Sequence, residues 1–152
     1  MNEYDELLVD AYRGELLGAA LFGALAAART GDERDQLLAL ERVESRTAKR
    51  LQTLIDAAGI DAGDEQTAID TGLQLAEATR EQDWSAFLTS LRDALPPYLA
   101  NFERLQALGA TDDRVLADLV AHERAVDRFA ELALQGRERD ALAVLEGHLA
   151  TA

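Results

Sequence analysis

The chain has 152 residues, enough for one domain with a proper core, and 48% of them are apolar. Its 29 acidic and 15 basic residues give a net charge of −14, a surface that repels phosphate backbones and anionic lipid, so neither nucleic acid nor membrane is expected as a partner. Cysteine is absent, which excludes disulfides, thiolate metal ligands, iron–sulfur clusters and cysteine nucleophiles.

Ala, Leu, Glu, Gln and Arg dominate, prolines are few, and no stretch alternates in strand fashion; the prediction is an all-α fold forming one domain over 1–152. The acidic start Met1–Asp5 lacks a signal-peptide pattern, and the longest uncharged run, Leu16–Ala28, is too short to span a bilayer. A cytoplasmic location is therefore expected.

In chain order, the first helix is predicted from Glu3 to Arg29, with an inward line of Tyr4, Leu8, Ala11, Glu15, Gly18, Phe22 and Leu25. Gly14, Gly18 and Gly23 each weaken a helix relative to Ala, and they suggest close approach of a neighbouring helix or simple tolerance on a long one. Thr30-Gly31-Asp32 ends this helix and caps a second, Glu33–Ala58, which Gly59 stops. The second inward line reads Leu37, Leu40, Glu44, Thr47, Leu51, Leu54 and Ala58. A weaker crossover helix over Asp64–Glu81 points Ile69, Leu73 and Ala76 inward.

Asp83 is placed to cap a helix from Trp84 to Leu108. Its line Leu88, Leu91, Leu95, Tyr98, Phe102, Leu105 keeps phase through Pro96-Pro97, favouring one kinked helix with Tyr98 pointing inward. Gly109 ends it, and Thr111 is expected to cap a helix running to about Gln135. Two adjacent lines run along that helix: Leu116, Leu119, Glu123, Val126, Ala130 and Val115, Leu119, His122, Val126, Phe129. A short final helix, Arg137–Ala150, offers Ala141, Leu142, Leu145 and Leu149 for packing, with His148 read as a solvated charge near its C-terminus.

Three long helices thus carry one carboxylate each on an apolar line, where an unpartnered charge is costly. At about 1.5 Å per residue, Glu15 and Glu44 lie roughly 24 and 20 Å from the Gly31 turn, and Glu123 roughly 21 Å from the Gly109 turn. All three come out at mid-height, with His122 beside Glu123. Carboxylate oxygens with one imidazole suit Fe, Mn or Zn, which makes Glu15, Glu44, His122 and Glu123 candidate metal ligands. The alternative is a buried polar network satisfied by Tyr12, Tyr98, Thr47 and His122. Ser45, Ser85 and Ser90 have no spaced histidine partner, and no glycine-rich phosphate loop follows a strand.

On these residues the chain resembles the ferritin-like superfamily of carboxylate-bridged dimetal proteins. That resemblance implies a four-helix bundle with a crossover helix, here joined by a short C-terminal helix, and a mid-height site built from a Glu on one helix and Glu-x-x-His on its neighbour, repeated. Glu15 matches the first-helix glutamate; Glu44 and Glu123 match the first position of the two motifs. Thr47 and Val126 stand where the histidines belong, no carboxylate lies on the Leu88–Leu105 line (Asp93 and Glu103 are rotated off it), and His122 precedes Glu123. The implied site is therefore altered or degenerate. The run Glu15–Gly23 and the Glu44/Thr47 and His122-Glu123 pairs are also similar to small bacterial helical proteins with an E-L-L-G-x-A-L-F-G first helix. The functions implied are a nonheme metal oxidoreductase acting with dioxygen or peroxide, or a metal-free scaffold that binds partners or pairs as a homodimer. A small-ligand pocket beneath the Pro96 kink is a third reading, with no diagnostic residue.

Overall fold

The computed structural model describes residues 1–109 and 113–151. Every regular element among them is a helix: α1 Glu3–Ala27, α2 Gly31–Ala58, α3 Glu65–Thr79, α4 Trp84–Leu108, α5 Arg114–Leu134 and α6 Glu138–Leu149. The predicted helix class is met, and the boundaries follow local chemistry. Asn2 Oδ1 accepts from the Asp5 amide at 2.8 Å, and Asp64 accepts from the amides of Gln66 and Thr67, satisfying donors that a helix start leaves free. Asp113 does the same for Val115 and Leu116 at the head of α5; the expected Thr111 cap lies outside the described residues. Gly59 closes α2 in the left-handed conformation at φ 67°, which a glycine adopts without the steric cost of a Cβ.

α1 packs chiefly against α2 and α3, α4 against α5, and α6 against α5 and α2. Further contacts join α2 to α5 and α1 to α4, so α1, α2, α5 and α4 meet in that cyclic order. The turn between α1 and α2 is too short for anything but an antiparallel return. The interior falls into two apolar clusters. One gathers Phe22, Leu25, Leu37, Leu40, Leu88, Phe129 and Leu145; the other gathers Leu8, Tyr12, Leu51, Ile55, Phe102, Leu105 and Leu119. On α1, α2 and α5 the polar residues Glu15, Glu44, His122 and Glu123 fall between the members of one cluster and those of the other. A polar layer therefore divides the core at mid-height.

Four placements differ from expectation, His148 being the last. On α3 the buried residues are Ala68, Gly72 and Ala76, while Leu73 is 46% exposed and Ile69 only half-buried. The reason is distance: a Cβ on Gly72 would stand 2.4 Å from the Leu17 carbonyl oxygen, so α3 lies too close to α1 for a large side chain between them. On α4, one continuous helix containing both prolines, Tyr98 is 47% exposed. The residues before and after it on the predicted line, Leu95, Phe102 and Leu105, are buried, so the exposure is local to the gap between α1 and α4. Leu99, partly buried, packs against the cluster of Leu8 and Leu119, and Tyr98 faces Gly14 of α1. At the end of the α2 line Ile55 is buried, Leu54 is half-buried against the same cluster and Ala58 is exposed. Last, His148 is buried, because α6 lays it against α5.

No helix among the described residues is long and apolar enough to cross a membrane.

Candidate metal centre

Glu15 on α1, Glu44 on α2 and the adjacent His122 and Glu123 on α5 meet in the polar layer. They are 2%, 8%, 0% and 6% exposed. His122 Nε2 lies 3.3 Å from Glu44 Oε2 and 3.5 Å from Glu15 Oε2, and Nδ1 lies 3.7 Å from Glu123 Oε1. Glu15, His122 and Glu123 each offer an atom within 4.8 Å of the others. All four residues singled out from the sequence are thus brought together.

The packing that permits this is specific. A Cβ on Gly18 would stand 3.0 Å from Glu44 Cδ and 3.1 Å from its Oε1, so the glycine leaves the room the carboxylate occupies. α5 buries two adjacent residues because it is covered on both sides, by α4 and by α6, which accounts for both of its inward lines. α4 contributes apolar wall only: Asp93 and Glu103 are exposed, and Glu103 pairs with Arg124.

Neither nitrogen of His122 makes a well-formed hydrogen bond, and Glu15 Oε2 and Glu123 Oε2 are also buried without a protein partner. Buried polar atoms left unpaired cost about 1–3 kcal/mol each, and here they lie on both sides of one ring, Nε2 toward Glu15 and Glu44 and Nδ1 toward Glu123. Of the four groups expected to satisfy these acids, His122 stands among them and the other three do not. Thr47 donates to the Val43 carbonyl of its own helix at 3.0 Å. Tyr12 faces Glu65 on α3, and burial, helped by that carboxylate, pushes its phenol up to about 12. Tyr98 stands at the protein surface.

The electrostatics are those of an acid-rich pocket. Burial pushes Glu123 up to about 7, with the Glu44 charge adding to the rise and His122 opposing it. Burial pushes His122 down, but Glu44 and Glu123, with a smaller effect from the Leu119 carbonyl, more than reverse that and hold it above its ordinary value.

Behind His122 lies a second polar group that the sequence reading missed. Asp118, one turn back on α5, is 3.0 Å from Arg50, 3.5 Å from Arg46 and 3.8 Å from His148 Nε2. The His148 ring sits 6.2 Å from the His122 ring. Arg46 also donates to the carbonyls of His148 and Thr151, fastening the end of α6. Burial, reinforced by His122 and the two arginines and opposed by Asp118, holds His148 below its ordinary value. The signal was present as two i, i+4 pairs, Arg46/Arg50 and Asp118/His122, on facing helices.

No protein-family model, curated protein or solved structure matches the chain.

Proposed function

We propose that the protein is a ferritin-like helical bundle that binds Fe, Mn or Zn through Glu15, Glu44, His122 and Glu123 and acts as a nonheme metal oxidoreductase. The observation that carries this reading is the spacing of unpaired atoms. His122 Nε2 stands 3.3 Å from Glu44 Oε2 and 3.5 Å from Glu15 Oε2, and Nε2 and Glu15 Oε2 are both buried without a well-formed hydrogen bond. A tetrahedral shell with bonds of about 2.1 Å has ligand–ligand edges of about 3.4 Å. The donor set of hard carboxylates and one imidazole suits these ions, and an ion beside Nε2 would engage that nitrogen and Glu15 Oε2, two of the atoms that a bare fold leaves unpaired. A bound Fe or Mn would supply electron transfer with dioxygen or peroxide. The residues would hold the ion between the two apolar clusters. The cyclic order α1–α2–α5–α4, with α3 in the connection between the two pairs, supports the ferritin-like part of the reading.

A second reading also has an observation in its favour. His122, held above its ordinary value, can itself be the cation between Glu15 and Glu44, leaving a metal-free scaffold that works through its surface. Elemental analysis of protein purified without chelator, followed by anaerobic melts of stripped protein with Fe(II), Mn(II) or Zn(II), separates the two. Under the metal reading, the wild type gains about 2.7 kcal/mol at 100 times the dissociation constant, and Glu44→Leu loses most of that gain. A wild type that retains no metal and is indifferent to all three ions leaves the scaffold.

A further inference from the structure

The polar layer is not sealed. A cleft of about 260 Å³ opens between α1 and α4, with Leu75 of α3 at its edge. Leu7, Leu21, Phe22, Leu91, Leu95 and Phe102 form its walls. Its floor is Glu15, Glu44 and Glu123, all nine-tenths or more buried, with Glu15 Oε2 and Glu123 Oε2 unpartnered. Its mouth is ringed by the exposed residues Asp10, Leu75, Tyr98 and Asn101. Gly14 has no side chain to fill the gap facing Tyr98; a Cβ there would come 4.0 Å from the tyrosine ring.

We infer that this cleft binds a neutral, apolar small molecule of about ten carbon atoms, one end of which rests against the carboxylate floor. Size follows from volume: a cavity of about 150 Å³ takes one benzene, and this one is 260 Å³. Apolar character follows from the walls, where a polar molecule would surrender its hydration without replacement hydrogen bonds. Charge follows from the acids. Asp10 at the mouth, three carboxylates at the floor and a net charge of −14 exclude an anion. An ion held at the floor compensates those carboxylates and removes the need for a cationic guest; this step rests on the metal reading above. Leu75 and Tyr98, 43% and 47% exposed, give an apolar guest a landing surface at the mouth.

Naphthol and naphthoate are matched probes, one neutral and one anionic at neutral pH. Calorimetric titration of each into metal-free and Zn(II)-loaded protein should show saturable naphthol binding. Naphthoate should bind at least about tenfold more weakly, the equivalent of about 1.4 kcal/mol. Gly14→Leu plugs the cleft while improving helix propensity, and should abolish naphthol binding with the melting temperature kept or raised. Tyr98→Ala, at an exposed position, should weaken binding several-fold. Equal binding of the two probes, full binding by the plugged variant, or no naphthol binding in either metal state overturns the inference. Failure to retain Zn(II) while naphthol still binds to the metal-free protein strikes the metal reading and leaves the cleft assignment intact.

Discussion

Gly18→Ala separates the site from the fold with one methyl group. In an ordinary helix the change stabilises by about 0.5–1 kcal/mol, because glycine loses more conformational freedom on folding. Here the new Cβ would meet Glu44 Cδ at 3.0 Å, Oε1 at 3.1 Å and Cγ at 3.3 Å. Carbon contacts are comfortable at about 3.5–4.0 Å, so the carboxylate must retreat by roughly 0.5 Å or more. It is the end of a flexible side chain and can do so without moving backbone. The metal-free melting temperature should therefore stay level or rise. The retreat, however, disturbs the 3.3 Å approach of Glu44 to His122, and mispositioned ligands typically cost about 10–100-fold in metal affinity. At a concentration 100 times the wild-type dissociation constant, the gain of about 2.7 kcal/mol should fall to about 1.4 for a tenfold loss. In a domain of this size that halves a metal-induced shift of roughly 5–11 °C. Differential scanning fluorimetry of stripped protein across a metal titration reads both numbers. A variant that keeps the full metal-induced shift refutes the packing reasoning. A loss of metal-free stability refutes the claim that the side chain can yield.

Gly72→Ala should behave in the opposite way. Its Cβ would lie 2.4 Å from a carbonyl oxygen of α1, backbone that cannot swing aside. Overpacking of about 1–3 kcal/mol should outweigh the helix gain, and a urea midpoint equal to wild type would contradict it. Tyr12 makes a pH prediction. Its folded value of about 12 exceeds the ordinary 10, so the stability it contributes is complete below pH 10 and is lost as the unfolded chain ionises first on the way to 12. In that window wild type should lose up to about 1.4 kcal/mol per pH unit relative to Tyr12→Phe, and parallel alkaline profiles would show the phenol is not held neutral by the fold.

Much of the helical frame was legible because apolar spacing repeats on α1, α2, α4 and α5, and Gly59 and Asp64 carry their own stop and start chemistry. The four site residues were legible for one reason: a carboxylate on a buried line is conspicuous, and three at equal height are more so. What escaped notice depended on neighbours. His148 reads as a terminal charge on a short helix until α6 is laid across α2 and α5, and nothing in a single helix announces that docking. Tyr98 fits a seven-residue line whose next members, Phe102 and Leu105, are buried; it alone is exposed because α1 and α4 stand apart at its level.

The glycines show the same division most sharply. Gly18, Gly23 and Gly72 all interrupt helices, and the sequence reading gave close approach of a second helix as one explanation for Gly18 and Gly23. Only Gly72 receives backbone; Gly18 and Gly23 receive the carboxylates of Glu44 and Glu41, within 3.0 and 3.1 Å of where a Cβ would be. In one dimension the two uses look identical, because both remove a Cβ. They differ in what a restored Cβ would displace: a rigid helix at Gly72, a movable side chain at Gly18. The first glycine sets the distance between elements and so belongs to the fold. The second sets where one charged group rests on an already folded helix and so belongs to the site.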